Sequence, residues 1–260
     1  MENTALITGA SSGIGMELAR IHAAKGGDLI LVARRKDRLK ALKEELEDQG
    51  AKVIIIAADL SKSKSAEEIH KYVTKKGIEI EYLINNAGFG AFGLFYKGDM
   101  ENFEDMIELN VITLTKLTRL FLPEMLKRDD GRILNVSSIA AFLPGPLNAV
   151  YSATKAYVLS FGESLSNELE GTGVTLTTLC PGATKTEFSK VAGFEEESDQ
   201  YINFAEARDV AEFGYEAMIK GKGVVVQGAT NKFITGFVSK FIPRGMVAKV
   251  ARNMMDDRSE

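Results

Sequence analysis

Asn3-Thr-Ala-Leu-Ile-Thr8 runs directly into Gly9-Ala-Ser-Ser-Gly-Ile-Gly15, and residues 16–25 then carry a helical pattern. The first six residues read as a short buried strand, and the glycines as a tight strand-to-helix turn. Such a turn makes a phosphate cradle. Glycine lets backbone approach a pyrophosphate, while the helix N-terminus supplies amide N–H groups and the positive end of its dipole. The spacing is G-x-x-x-G-x-G, not the more general G-x-G-x-x-G. A plain tight turn is the alternative. Its position at the first strand-to-helix junction favours a dinucleotide cofactor, with Gly9, Ser11, Ser12, Gly13, Ile14 and Gly15 around the phosphates.

Working outward, Asp28-Leu-Ile-Leu-Val-Ala33 reads as a second strand, ending at Arg34-Arg35. An acidic residue at this point would hold an adenosine ribose 2′-hydroxyl. Two arginines suit a 2′-phosphate instead, through bidentate hydrogen bonds. That points to NADP(H) over NAD(H), the alternative being two solvated arginines opening a charged helix over residues 36–49. Ala51-Lys-Val-Ile-Ile-Ile-Ala-Ala58 is a third strand, leading to Asp59-Leu60. The Asp59 carboxylate either meets an adenine amino group or caps the helix over 65–76. Ile80-Glu-Tyr-Leu-Ile84 is a fourth strand, ending in the small, polar Asn85-Asn-Ala-Gly88. Alternating strands and helices argue for a parallel, doubly wound α/β sheet, with ligands beyond the carboxyl ends of the strands.

A second informative stretch lies downstream. Gly131-Arg-Ile-Leu-Asn-Val-Ser137 reads as a buried strand, and residues 148–170 as a long helix. Tyr151 and Lys155 are four apart on that helix and share a face. An ammonium beside a phenol favours the phenolate and lowers the tyrosine pKa, which suits proton transfer near neutral pH. Ser138, at the strand exit, suits a hydrogen bond to a carbonyl oxygen. Taken alone, Tyr-x-x-x-Lys is common by chance and reads more readily as a packed tyrosine and a snorkelling lysine.

Residues 103–127 read as one long helix containing Asn110, either a polar helix position or a residue with a specific task. Residues 89–100 are irregular and apolar, and should face a pocket or a partner rather than water. Phe92 and Phe95 there, with Leu143 and Phe188, are candidates to line a pocket for an apolar ketone, aldehyde or acyl chain. Val174-Thr-Leu-Thr-Thr-Leu179 is a sixth strand that breaks at Cys180-Pro-Gly-Ala-Thr-Lys-Thr186. Residues 187–204 read as a flap over the pocket. A helix over 205–220 and a seventh strand at Gly223-Val-Val-Val-Gln227 follow. In the tail, about residues 231–260, Phe233, Phe237 and Phe241 recur every four residues among Lys232, Lys240, Arg244, Lys249 and Arg252. That pattern fits a basic amphipathic helix on a membrane surface, or one packed on its own domain or on another subunit.

Composition narrows the class. With 260 residues, 45% hydrophobic and 26% charged, one α/β domain over 1–260 is expected. The net charge of −4 argues against nucleic acid. One cysteine, Cys180, leaves no internal disulfide, and with two histidines far apart, His22 and His70, no metal site is expected. No signal peptide or membrane span is visible, so the expected location is cytoplasmic.

Over about residues 3–227 the chain resembles the classical short-chain dehydrogenases/reductases. The resemblance rests on Thr8-Gly-Ala-Ser-Ser-Gly-Ile-Gly15, Asn85-Asn-Ala-Gly88, Asn110, Ser138, Tyr151-Ser-Ala-Thr-Lys155, and Pro181-Gly182 with Thr186. It implies a seven-stranded Rossmann sheet in the order 3-2-1-4-5-6-7 and an oxidoreductase. Tyr151 would be the acid/base, also touching cofactor and substrate, and Lys155 would lower its pKa and bind the nicotinamide ribose. Ser138 would polarise the carbonyl, and Asn110 would hold a relay water. Asn86, Ala87 and Gly88 would line the ribose and pyrophosphate side. Pro181, Gly182, Thr184 and Thr186 would lie near the nicotinamide. A homodimer or homotetramer paired through helices 103–127 and 148–170 is also implied. A 3-oxoacyl thioester reductase, or a membrane-surface or regulatory NADP-binding protein, are the rival readings.

Overall fold

In the computed structural model, residues 1–192, 204–238 and 241–256 are described. The strands are β1 (Ala5–Thr8), β2 (Leu29–Ala33), β3 (Val53–Ala57), β4 (Tyr82–Asn85), β5 (Gly131–Val136), β6 (Val174–Cys180), β7 (Thr184–Lys185), β8 (Ala205–Glu206) and β9 (Val224–Val226). Seven of them form one sheet in the order β3-β2-β1-β4-β5-β6-β9, and each pair is parallel. This is the expected order. The seventh strand is β9 only because the short parallel pair β7–β8 intervenes.

A parallel sheet is covered on both faces, so its central strands are buried on successive residues rather than on alternate ones. β1 and β2 are buried along their full length. Helices α1 (Gly13–Ala24), α2 (Lys36–Glu47), α3 (Ser65–Lys75), α4 (Met100–Ile107), α5 (Leu114–Arg128), α6 (Ala149–Glu168), α7 (Phe188–Ala192), α8 (Ala207–Ile219), α9 (Ala229–Phe233) and α10 (Arg244–Asp256) complete the chain. One face is covered by α1, α2 and α8, through Leu18, Leu39, Leu46, Val210 and Met218. The other is covered by α3 and α5, through Ile69, Val73, Leu117, Phe121 and Met125, with Leu165 and Leu169 at the end of α6. Burying each such side chain contributes roughly 1.5–3 kcal/mol before entropy is counted.

Two helices differ from expectation, and two further segments are described only in part. The helix over 103–127 starts earlier and is interrupted by a π-helical turn, Glu108–Thr113, between α4 and α5. The helix over 205–220 loses its first two residues to β8. Most of the flap, 193–203, lies outside the described residues, including Phe194 and the acidic run 195–199. The described part forms α7. In the tail, α9 and a π-helical stretch, Ile234–Val238, precede α10, with Pro243 just before it. Phe233 stacks on Phe237 and Phe237 meets Phe241, all three exposed. Lys240 lies outside the described residues. Among the described residues, no helix is long and apolar enough to cross a membrane.

Candidate active site

The carboxyl ends of β1, β2, β4, β5 and β6 open onto one cavity of about 650 Å³. Its phosphate-cradle end is built by close backbone packing. Thr8 Oγ1 accepts from the N–H groups of Asn86 and Ala87, both at 3.0 Å, and the Asn86 side chain donates to Thr8 O at 2.9 Å. These bonds clamp the end of β1 to the end of β4. Gly9, at φ +68°, sits against the clamp, and a Cβ there would lie 2.8 Å from Asn86 Nδ2. Gly13, at φ +54°, is covered by the Thr186 methyl. Only glycine meets both demands. Helix α1 then starts at Ser12 without a side-chain capping bond, so its first amides keep their donor capacity.

The arginine end is split. Arg35 donates to Ser12 Oγ at 2.8 Å and Ser11 Oγ at 3.2 Å, and pairs with Glu187 at 2.7 Å. Arg38 holds the other Glu187 oxygen at 2.8 Å. Hydrogen bonds from Arg35, then Arg38, keep the Glu187 carboxyl below its usual range. Arg34 is exposed at the cavity edge. Asp59 accepts from Ser61 N–H and Oγ–H in a local turn, so it does not cap α3. Burial works to raise the Asp59 carboxyl, but those hydrogen bonds and the Arg34 charge bring it below its usual value.

At the opposite end stand Ser138, Tyr151 and Lys155. Ser138 follows β5 in extended conformation and accepts from Ala140 N–H at 3.1 Å. Tyr151, in the first turn of α6, is buried against Phe188, ring centroids 5.2 Å apart. Lys155 Nζ donates to Val136 O at 2.9 Å and lies 5.7 Å from the Tyr151 ring centroid. The electrostatics correct the expected lowering of the phenol. Burial pushes Tyr151 up to about 12, and a hydrogen bond with Ser138 works against that only in part. Burial also pulls Lys155 down to about 8, against the opposing influence of Cys180. Both groups are desolvated together, which disfavours phenolate and ammonium alike.

Asn110 lies in the π-helical turn, fully buried. Its amide donates to Phe89 O and Thr154 Oγ1, both at 3.0 Å, and its oxygen accepts from Phe89 N–H at 3.2 Å. A Cβ on Gly88 would lie 3.0 Å from Asn110 Oδ1 and 3.2 Å from Lys155 Nζ, so that glycine lets the β4 end pass between them.

Ser11, Ser12, Ile14, Leu60, Ala87, Pro181, Gly182, Thr184 and Thr186 also line the cavity. Gly15 and Asn110 support it from behind. Of the four apolar candidates only Phe188 lines it. Phe92 and Leu143 lie outside, and Phe95 stacks on Phe103 at 5.4 Å beside a separate groove. Sequence reasoning missed Gly90, pressed between Phe188 and Tyr151, and Glu187 with Arg38. The closely spaced Gly88-Phe-Gly90 was the available signal for the first. The second pair, far apart in sequence, left none. Cys180 is buried with its thiol pushed up to about 12 by burial, a packing residue. Among the described residues, no cluster suits a metal ion.

A glycine cradle at the first helix, arginines beside it and a serine, tyrosine and lysine across the cavity fit a nicotinamide dinucleotide, and the fold with this site defines a dinucleotide-binding oxidoreductase. Residues 3–197 match the short chain dehydrogenase family, and the chain belongs to it. It is 37% identical over 186 residues to a short chain dehydrogenase of Pseudocercospora fijiensis, covering 71% of this chain and 60% of that one. It is 39% identical over 189 residues to an NADP-dependent 3-hydroxy acid dehydrogenase of Salmonella typhi, covering 72% of this chain and 75% of that one. A short-chain dehydrogenase from Sphingobium yanoikuyae, solved in complex with NADPH, superposes with a TM-score of 0.82 at 30% identity, covering 98% of this chain and 95% of that one.

Proposed function

We propose that the chain is an NADP(H)-dependent oxidoreductase acting between an apolar ketone or aldehyde and the corresponding alcohol. The observation that carries this reading is one cavity with Arg34 at one end and Ser138, Tyr151 and Lys155 at the other. When bound, the nicotinamide supplies or takes the hydride. The chain's residues do the rest. The Tyr151 hydroxyl, protonated at neutral pH, gives its proton to the carbonyl oxygen as the alcohol forms. Ser138 donates a hydrogen bond to the same oxygen, and Lys155, when charged, favours the phenolate that remains. Asn110 acts as a positioning residue, fixing the backbone at Phe89. Phe89, Leu109, Ile139, Ala140 and Phe188 in the lining support an apolar substrate. Arg34 takes the 2′-phosphate, which favours NADP(H) over NAD(H).

A second reading, a 3-oxo acid or 3-oxoacyl thioester as substrate, is favoured by the relative named for 3-hydroxy acids. We further propose a homo-oligomer in the cytoplasm. Ile107, Ile112 and Tyr157 stay exposed on the α4–α6 side, beside an apolar groove of about 520 Å³.

The test is NADPH consumption against short ketones, steroids, sugars and 3-oxoacyl thioesters, with Tyr151→Phe as control. Turnover should fall by about 10²–10⁴-fold in that variant. Full activity there removes the acid/base role, and the substrate group that responds separates the two readings.

A further inference from the structure

The two cationic residues after β2 stand in different states. Arg34 is exposed and makes no hydrogen bond or ion pair with a described residue. Arg35 is committed: one amino group to the Ser11 and Ser12 hydroxyls, the other to Glu187. Glu187 is gripped from two sides, Oε2 by Arg35 at 2.7 Å and Oε1 by Arg38 at 2.8 Å. A carboxylate spanning two guanidinium groups uses the contacts that a phosphate monoester would use. It comes from the segment that also covers the cradle, since the preceding Thr186 methyl sits over Gly13. The Glu187 side chain is 41% exposed, so an incoming anion can reach and replace it.

We propose that Glu187 is an internal competitor for the arginine cluster and thereby sets how strongly the chain discriminates between NADP(H) and NAD(H). This rests on the 2′-phosphate reading given above. A 2′-phosphate arriving at Arg34 gains Arg35 and Arg38 only as Glu187 gives them up. A nucleotide with a free 2′-hydroxyl gains nothing from that exchange and leaves Glu187 in place. The carboxylate therefore costs affinity only for the phosphorylated cofactor.

The experiment is direct binding, by NADPH and NADH fluorescence and by calorimetry with 2′,5′-ADP against 5′-AMP, at fixed ionic strength. Glu187→Gln should tighten NADPH and 2′,5′-ADP by about two- to fivefold, the upper part of the range of an exposed ion pair, and change NADH and 5′-AMP less than about 1.5-fold. In an Arg35→Gln background the gain should shrink, because only Arg38 is then left for Glu187 to release. Unchanged or weaker NADPH binding in Glu187→Gln overturns the proposal, as does a gain that persists in full without Arg35. If Glu187→Gln, with the arginines released, still binds NADH as tightly as NADPH, the 2′-phosphate reading itself fails. That result is distinct from a selective protein indifferent to Glu187.

Discussion

Arg34 and Arg35 are adjacent in sequence, yet only Arg34 is left open for an incoming charge. Arg34→Asp should invert the preference, weakening NADPH while leaving NADH binding within a few-fold, by losing a charge-assisted contact and adding repulsion. The ratio of dissociation constants measures it, and an unchanged ratio rejects the phosphate role. Tyr151, Lys155 and Ser138 were legible because four-residue spacing and a strand exit fix where they point. Their ionisation was not legible. A sequence shows that a lysine faces a tyrosine, but not that both are desolvated, and desolvation decides the direction here. Glu187 was invisible for another reason: its partners come from a different element, and only the closed fold brings them within 2.8 Å.

Asn110 shows what a helix pattern hides. The periodicity of residues 103–127 reads as uninterrupted, whereas Glu108–Thr113 widens into a π-helical turn. Such turns occur as local insertions, frequently at functional sites. This one holds Asn110 where it meets both backbone groups of Phe89. Asn110→Leu leaves those partly buried backbone groups and the buried Thr154 hydroxyl without this partner and should destabilise the chain by about 1–3 kcal/mol. The expected result is a lower urea midpoint at unchanged slope. A midpoint like that of the unsubstituted protein rejects the structural role. The strands were legible because their apolar runs need cover on both faces, whereas their order was expected only from the family resemblance. The apolar loop over 89–100 was legible only in part, because greasiness alone does not say which surface each side chain meets, and Phe89 rather than Phe92 or Phe95 lines the cavity. Phe95 faces Phe103 and not the cavity.

Across the fold, His22 ties three distant parts together. It is buried in α1, bonded to Tyr215 Oη of α8 at 2.9 Å and to Asn3 O ahead of β1 at 2.6 Å, with its ring edge-on to Tyr82 of β4. Burial holds its pKa below the usual value, against the opposing influences of the Asn3 carbonyl and Asp28. The unfolded chain therefore takes up a proton first as pH falls. Stability is fully present above about 6.5 and is lost as pH drops from there toward the lower folded value. Urea midpoints from pH 7.5 to 5 should fall less steeply in His22→Gln, and identical slopes would remove the histidine from the account. The sheet order carries one more consequence. β1 is synthesised first yet lies third from the edge, between β2 and the much later β4. A ribosome that has not yet passed residue 82 holds a chain in which β1 shows a bare hydrogen-bonding edge that β4 later covers. Until Tyr82–Asn85 arrives to cover it, that nascent segment is a template for pairing with its neighbours on the same message.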